Sequence, residues 1–63
     1  SIPDNWIGKS LVSLDLRRRH KINVFAIKQG ELLITDINPD APLRSNQTLM
    51  VIGKNKDIDK CFH

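Results

Sequence analysis

The side chains that could do catalytic chemistry in this sequence are few and poorly spaced for it. Cys61 and His63 offer a thiol and a base, but they stand two residues apart in a segment that favours helix, so they would not face each other. His20 is the other soft metal ligand, and the paired spacings of a zinc site do not occur. Glycine stands only at positions 8, 30 and 53, without a phosphate-binding loop. The sequence therefore predicts a chain that is not an enzyme and that holds no metal and no cofactor.

A basic run, Arg17-Arg18-Arg19-His20-Lys21, is the other feature that could do chemistry. It lies at the end of a predicted helix, where cations complement the helix dipole and raise the local concentration of an anionic ligand. For Arg18 to Lys21 we expect only this supporting role. A nucleic-acid interface is an alternative, but aromatic side chains for base stacking are few and Phe25 is expected to be buried in a strand. We therefore expect no nucleic acid as partner.

The size of the chain favours self-association. A domain of 63 residues buries only about 60% of the surface that its unfolded chain exposes. A single cysteine, Cys61, excludes an internal disulfide and suits a reducing compartment. No apolar stretch approaches the roughly 20 residues of a membrane span, and the first residues resemble neither a signal nor a transit peptide. We expect one cytoplasmic domain, residues 1–63, stabilised as a homodimer.

Hydrophobic spacing predicts a small α/β (α+β) fold. Ser10 is a good N-cap for a helix from Leu11 to His20, with the apolar residues of its first half at helical spacings. A last helix would be capped by Asn55 or Asp57 and would turn three apolar side chains toward the core. These are Ile58, Cys61 and Phe62.

Three segments between the two helices read as strands of a mixed or antiparallel sheet. Residues 22–28 are apolar on both faces, as in a central strand, and a turn at Gln29-Gly30 leads to an antiparallel return over residues 31–36. Residues 38–42 form a loop, and residues 48–52 form the next strand. Ile2-Pro3 is interpreted as the tail of a truncated fourth strand, and the turn that follows would pack Trp6 on the sheet.

Several short motifs, in order, resemble the C-terminal domain of the TrkA family, the C-lobe of regulator-of-potassium-conductance proteins. The resemblance runs from Trp6 to Phe62, and the opening at residues 4–10 is most similar to the Ktr-type potassium-uptake subunits. One departure is Asn46-Gln47, where the family commonly has Gly-Asp. The motifs are Gly8-Lys9-Ser10-Leu11, Leu14-Asp15-Leu16-Arg17, Ile22-Asn23-Val24, Ala26-Ile27, Pro39, Leu43 and Thr48 to Gly53.

The resemblance implies a site for cyclic di-AMP at a homodimer interface. Arg17 would contact a phosphate through its bidentate donor fork, and Asn23 would read an adenine edge or the ribose. Asp15 would support the adenine amino group or Arg17, although pairing with one of the arginines is equally open. Leu11 and Val12, with Pro39, would form the apolar walls against the adenine faces, although Leu11 and Val12 could also belong to the dimer core. The full set is Leu11, Val12, Asp15, Leu16, Arg17, Ile22, Asn23 and Pro39.

The function that the resemblance implies is the ligand-sensing and dimerisation lobe of a potassium-transport regulatory subunit. Cyclic di-AMP would be its regulatory ligand, and binding would lower cation uptake by a membrane-embedded transporter to which the rest of the subunit docks. The lobe would then be cytoplasmic and peripheral to the membrane. Two alternatives stay open: a purely structural dimerisation lobe of a transporter or antiporter, and the nucleic-acid-binding module considered above.

Overall fold

The structure, a computed structural model, describes residues 2–62, so Ser1 and the prediction for His63 lie outside the described residues. The element order confirms an α+β fold, in which helices precede and follow the three strands of an antiparallel sheet along the chain. A 3-10 turn at Asp4–Trp6 precedes the first helix. The elements that follow are α1 (Leu11–Leu14), α2 (Leu16–His20), β1 (Asn23–Gln29), β2 (Leu32–Ile34), β3 (Gln47–Ile52) and α3 (Asn55–Phe62).

The predicted helix from Leu11 to His20 is wrong as a single element, because the chain breaks it at Asp15. Asp15 adopts a left-handed conformation, with φ 49° and ψ 51°, and so ends α1 and starts α2. Asp is among the residues that tolerate this region, which is why the break carries no glycine. The predicted N-cap is confirmed: Ser10 Oγ accepts from Ser13 N–H at 3.1 Å, and Ser13 Oγ accepts from Ser10 N–H at 3.2 Å.

The sheet has the order β2-β1-β3, so β1 is the central strand, as its two apolar faces predicted. The hairpin of β1 and β2 is confirmed, with Gln29 opposite Leu32 and a two-residue loop between them. Gly30, the first loop residue, has φ +60°, as type II′ hairpin turns require. The returning strand is shorter than residues 31–36, since pairing ends at Ile34.

A β-bulge at Phe25 interrupts the pairing of β1 with β3. Val24 pairs with Val51 and Ala26 pairs with Met50, which leaves Phe25 as an extra residue on β1. Phe25 is 49% exposed. The expectation that Phe25 is buried is therefore wrong, because the bulge changes the regular alternation of side chains that a strand would otherwise impose.

The core lies between the inner face of the sheet and the helices. Trp6 is buried and packs edge-on against Phe62 of α3, with the ring centroids 5.4 Å apart. This confirms that Trp6 is a packing residue and that α3 turns its apolar side toward the core. Ile2 is also buried, but residues 2 and 3 do not form the strand tail that was expected. The buried cluster consists of Ile2, Trp6, Leu16, Ile27 and Leu43.

The last helix begins at Asn55, one residue before the earliest start that the predicted caps would allow. The carbonyl of Lys54 accepts from the N–H groups of Asp57 and Ile58, both at 3.0 Å. Lys54 is therefore the N-cap residue, and the prediction of a cap at Asn55 or Asp57 is wrong. Both of those residues lie in the first turn of α3, where the carboxylate of Asp57 complements the helix dipole.

A candidate ligand-binding hollow

A hollow of about 380 Å³ opens between the first two helices and the start of β1. It brings together seven of the eight residues that the sequence analysis assigned to a ligand site, with Pro39 as the exception. We call this space the α1–β1 hollow. It is lined by Leu11, Val12, Asp15, Leu16, Arg17, Ile22, Asn23 and Val24.

The left-handed break at Asp15 explains how Asp15 and Arg17 line the same hollow. In one continuous helix, residues two apart point to nearly opposite faces. The change of chain direction at Asp15 turns α2 relative to α1, so Arg17 lies on the side that carries Leu11 and Val12. The backbone fixes this turn: the N–H of Asp15 donates to Leu11 C=O at 3.0 Å, and its carbonyl accepts from Arg19 N–H at 2.9 Å.

The α1–β1 hollow has an apolar floor and a polar rim. Ile22 is fully buried and Leu16 is 4% exposed, so both form the floor beneath the open space. Arg17 and Asn23 are exposed at the rim, and Val12 is 57% exposed beside them. An apolar floor with a few polar groups around it is the usual composition of a small-molecule site.

Asp15 is paired with Arg18 rather than with Arg17. Arg18 Nε donates to Asp15 Oδ2 at 2.7 Å. The Asp15 side chain is 35% exposed, and that of Arg18 is 81% exposed. The partner of Asp15 was open from the sequence, because three arginines follow it within four residues. Only a general electrostatic role was expected of Arg18.

Pro39 lies beside the α1–β1 hollow but does not line it. Its carbonyl accepts from the N–H of Val12 at 3.0 Å, which ties the loop to the first turn of α1. Val24, by contrast, lines the hollow although the sequence analysis did not select it. The signal was present, since residues two apart in an extended chain share a face and Val24 follows Ile22 at that spacing.

Two other concave regions differ from the α1–β1 hollow in charge. A groove of about 630 Å³ lies between the N-terminal segment, β3 and α3, and its lining carries one charged residue, Asp4. A small hollow of about 160 Å³ between α2 and α3 is lined by Arg19, His20 and Lys21 with Asp57 and Lys60. The larger groove therefore lacks a cation for an anionic ligand, and the smaller one lacks apolar walls.

Comparison with known proteins identifies the family. The family model for the TrkA-C domain matches residues 1–62. The chain belongs to the TrkA-C domain family. A solved structure of the regulator of conductance of K+ (RCK) C domain of the potassium transport protein KtrA, in complex with cyclic diadenosine monophosphate (c-di-AMP), resembles it with a TM-score of 0.88 at 32% identity. That likeness covers 95% of this chain and 71% of the KtrA domain chain. The search of curated proteins gave no match.

The resemblance stated from the sequence motifs is thus confirmed, and so is the fold that it implied for this TrkA-C domain. Within residues 2–62, no group of three His, Cys, Asp or Glu side chains lies close enough to share a metal ion. None of the helices in the same part of the chain has the length and apolar character that crossing a membrane requires.

Proposed function

We propose that this TrkA-C domain is the cytosolic, ligand-sensing lobe of a potassium-transport regulatory subunit, and that it binds cyclic di-AMP between two copies of itself. The observation that carries the proposal is the α1–β1 hollow, which gathers a guanidinium, a carboxylate, an amide and apolar side chains in one place. The similar KtrA domain was solved in complex with cyclic di-AMP, which supports the choice of this ligand.

The chemistry of the hollow suits half of a cyclic dinucleotide. Arg17 offers a bidentate donor fork to one phosphate, and Asn23 offers both a donor and an acceptor to a base edge or a ribose. Leu11 and Val12 provide apolar contact for an adenine face, with Leu16 and Ile22 as the floor beneath. Pro39 would act from beside the hollow, through its bond to α1 or through contact with a ligand that extends past the rim.

Symmetry favours a homodimer around such a ligand. Cyclic di-AMP has two phosphates and two adenines related by a two-fold axis, and a two-fold dimer presents each protein group twice. Exposed apolar residues stand next to the hollow: Val12 is 57% exposed, and Ile52, the cross-strand partner of Asn23, is 60% exposed. Burying these residues against a second copy would close the hollow over the ligand and supply a second Arg17.

The regulation that we propose is a population shift. A ligand that contacts both copies stabilises the dimer geometry in which the two hollows face each other, and it can shift the equilibrium only by its differential affinity for that geometry. The rest of the regulatory subunit would transmit the change to a membrane-embedded cation transporter and lower its uptake. The lobe itself would perform no catalysis, hold no cofactor and bind no nucleic acid.

The test is an isothermal titration of the chain with cyclic di-AMP, with cyclic di-GMP as the comparison ligand. We expect one cyclic di-AMP per two chains and no heat from cyclic di-GMP. Arg17→Ala should abolish binding. Arg19→Ala should retain it, because this substitution removes the same charge from the hollow between α2 and α3 and not from the α1–β1 hollow. Sedimentation velocity with and without ligand would report the dimer.

A flat titration from a folded, dimeric wild-type chain would contradict the sensor and leave a structural dimerisation lobe, the alternative that the exposed Val12 and Ile52 favour. Binding to generic duplex DNA with a steep salt dependence would instead indicate the nucleic-acid module.

A further inference from the structure

The pairing of Arg18 with Asp15 gives the basic run a role inside the α1–β1 hollow. Arg18 does not line the hollow, but its Nε reaches Asp15 Oδ2 at 2.7 Å, and Asp15 does line it. The pair therefore connects a side chain in solvent, 81% exposed, to a carboxylate that is 35% exposed at the site. A cation can in this way act on the ligand without contacting it.

The carboxylate is held at both of its ends. At the backbone, Asp15 is fixed in its left-handed conformation by hydrogen bonds to Leu11 and from Arg19. At the side chain, Arg18 holds Oδ2. A short side chain anchored in this way has little freedom left, so its remaining oxygen keeps a defined position for a donor.

The same contact keeps Arg17 available. An acid that lines a hollow together with one arginine would be expected to pair with it, and it would repel an incoming phosphate. In residues 2–62 the ion pair that forms is Arg18 with Asp15. Arg18 thus neutralises the carboxylate and removes the competitor that would otherwise occupy the Arg17 guanidinium.

We propose that Arg18 is a positioning residue of the ligand site: it holds Asp15 as a fixed acceptor for an amino group of the ligand and leaves Arg17 for the phosphate. The proposal rests on the proposed function, since it assumes an anionic ligand with amino groups, as adenine provides through N6. Arg18 then affects the affinity for the ligand only through its contact with Asp15.

A double-mutant cycle with cyclic di-AMP as the probe tests this assignment. The proteins are the wild-type chain, Arg18→Gln, Asp15→Asn and the double variant, with Arg19→Gln as the matched control. Asn is chosen at position 15 because it tolerates the left-handed backbone. We expect Arg18→Gln to weaken binding about fivefold, the effect of losing a pair at the strong end of the surface range. Arg19→Gln should weaken binding by less than twofold.

In the Asp15→Asn background, Arg18→Gln should have no effect beyond that of Arg19→Gln. Arg18→Lys, which keeps the charge but not the Nε donor, should recover only part of the affinity. Thermal unfolding midpoints of Arg18→Gln and Arg19→Gln should agree, so that a stability effect does not explain the loss. Equal losses for Arg18→Gln in both backgrounds, or equal losses for the two arginine variants, would overturn the proposal while leaving the ligand site intact. If the wild-type chain itself fails to bind, the proposed function fails first and the role of Arg18 with it.

Discussion

Gly53 lies directly against the backbone of Lys21: a Cβ placed on Gly53 would be 3.3 Å from the carbonyl oxygen of Lys21. The same atom would come within 3.4 Å of Ile22 Cγ1 and 3.5 Å of Ile58 Cγ1. The end of β3 is therefore packed without spare room against the start of β1 and the first turns of α3. Since Ile22 is the floor of the α1–β1 hollow, this junction supports the site from behind.

Gly53→Ala should destabilise the chain by about 1 kcal/mol, because the added methyl group meets a backbone oxygen that cannot move aside as a side chain would. The figure is a net value, because alanine also lowers the conformational entropy of the unfolded chain and so offsets part of the loss. Urea unfolding followed by circular dichroism would measure it, with Lys54→Ala, at the exposed neighbouring position, as the control. An unchanged or increased free energy of unfolding would contradict the close packing.

Lys21→Gly should have the opposite effect. Lys21 ends α2 in a left-handed conformation, with φ 59° and ψ 34°, where a Cβ is unfavourable and glycine is the usual residue. Relief of that strain, less the greater flexibility of glycine in the unfolded chain, should raise the free energy of unfolding by about 0.5 kcal/mol. Lys21→Ala removes the same long side chain but keeps the Cβ, so it should give no such gain. A glycine variant no more stable than the alanine variant would refute the strain argument.

Gln47 explains why the chain tolerates its departure from the Gly-Asp pattern before the last strand. Its Oε1 accepts from Arg44 N–H at 2.9 Å, and its Nε2 donates to Gln29 Oε1 at 3.2 Å across the β1–β3 pair. One side chain thus closes the turn into β3 and joins two strands. A carboxylate at this position would keep the first bond and could not donate the second.

Gln47→Ala should therefore cost about 1 kcal/mol, since it removes both hydrogen bonds at a partly buried position. Gln29→Ala removes only the cross-strand bond and should cost about half as much. Denaturant unfolding of the two variants gives the comparison. Should Gln29→Ala prove the more damaging variant, the assignment of the turn bond to Gln47 would be at fault.

Several elements of the fold were predictable because they follow from local patterns. The cap at Ser10, the central strand apolar on both faces, and the turn at Gly30 are all set by residues close in sequence. The bulge at Phe25 is not, because alternation within β1 is compatible with either face until its register with β3 is fixed. The start of α3 was missed for a different reason: Lys54 is not a preferred N-cap residue type, so residue preference pointed to Asn55 and Asp57 instead.

The candidate site could be predicted from the sequence only in part. Helical spacing would place Asp15 and Arg17 on different faces, and no glycine or proline marks the break that brings them to one hollow. The set of site residues came from the family resemblance, whereas the partner of Asp15 came only from the structure. Which of the three consecutive arginines pairs with Asp15 depends on the left-handed conformation of Asp15 itself, which the sequence does not mark.

Cys61 should make the stability of the chain depend on pH at the alkaline end. Burial raises the pKa of the Cys61 thiol above its ordinary value, because the folded chain disfavours the thiolate. In the unfolded chain the thiol ionises at its ordinary pKa. The contribution of Cys61 to stability is therefore constant below the ordinary pKa, and it is lost as the pH rises from the ordinary pKa to the raised one. Urea unfolding at intervals from about pH 7 to about pH 10 would show the decline. Cys61→Ala removes the titrating group, so its free energy of unfolding should fall less steeply over the same range, whatever constant offset the lost packing adds. Parallel slopes for the two proteins would show that the folded chain accommodates the thiolate as easily as water does.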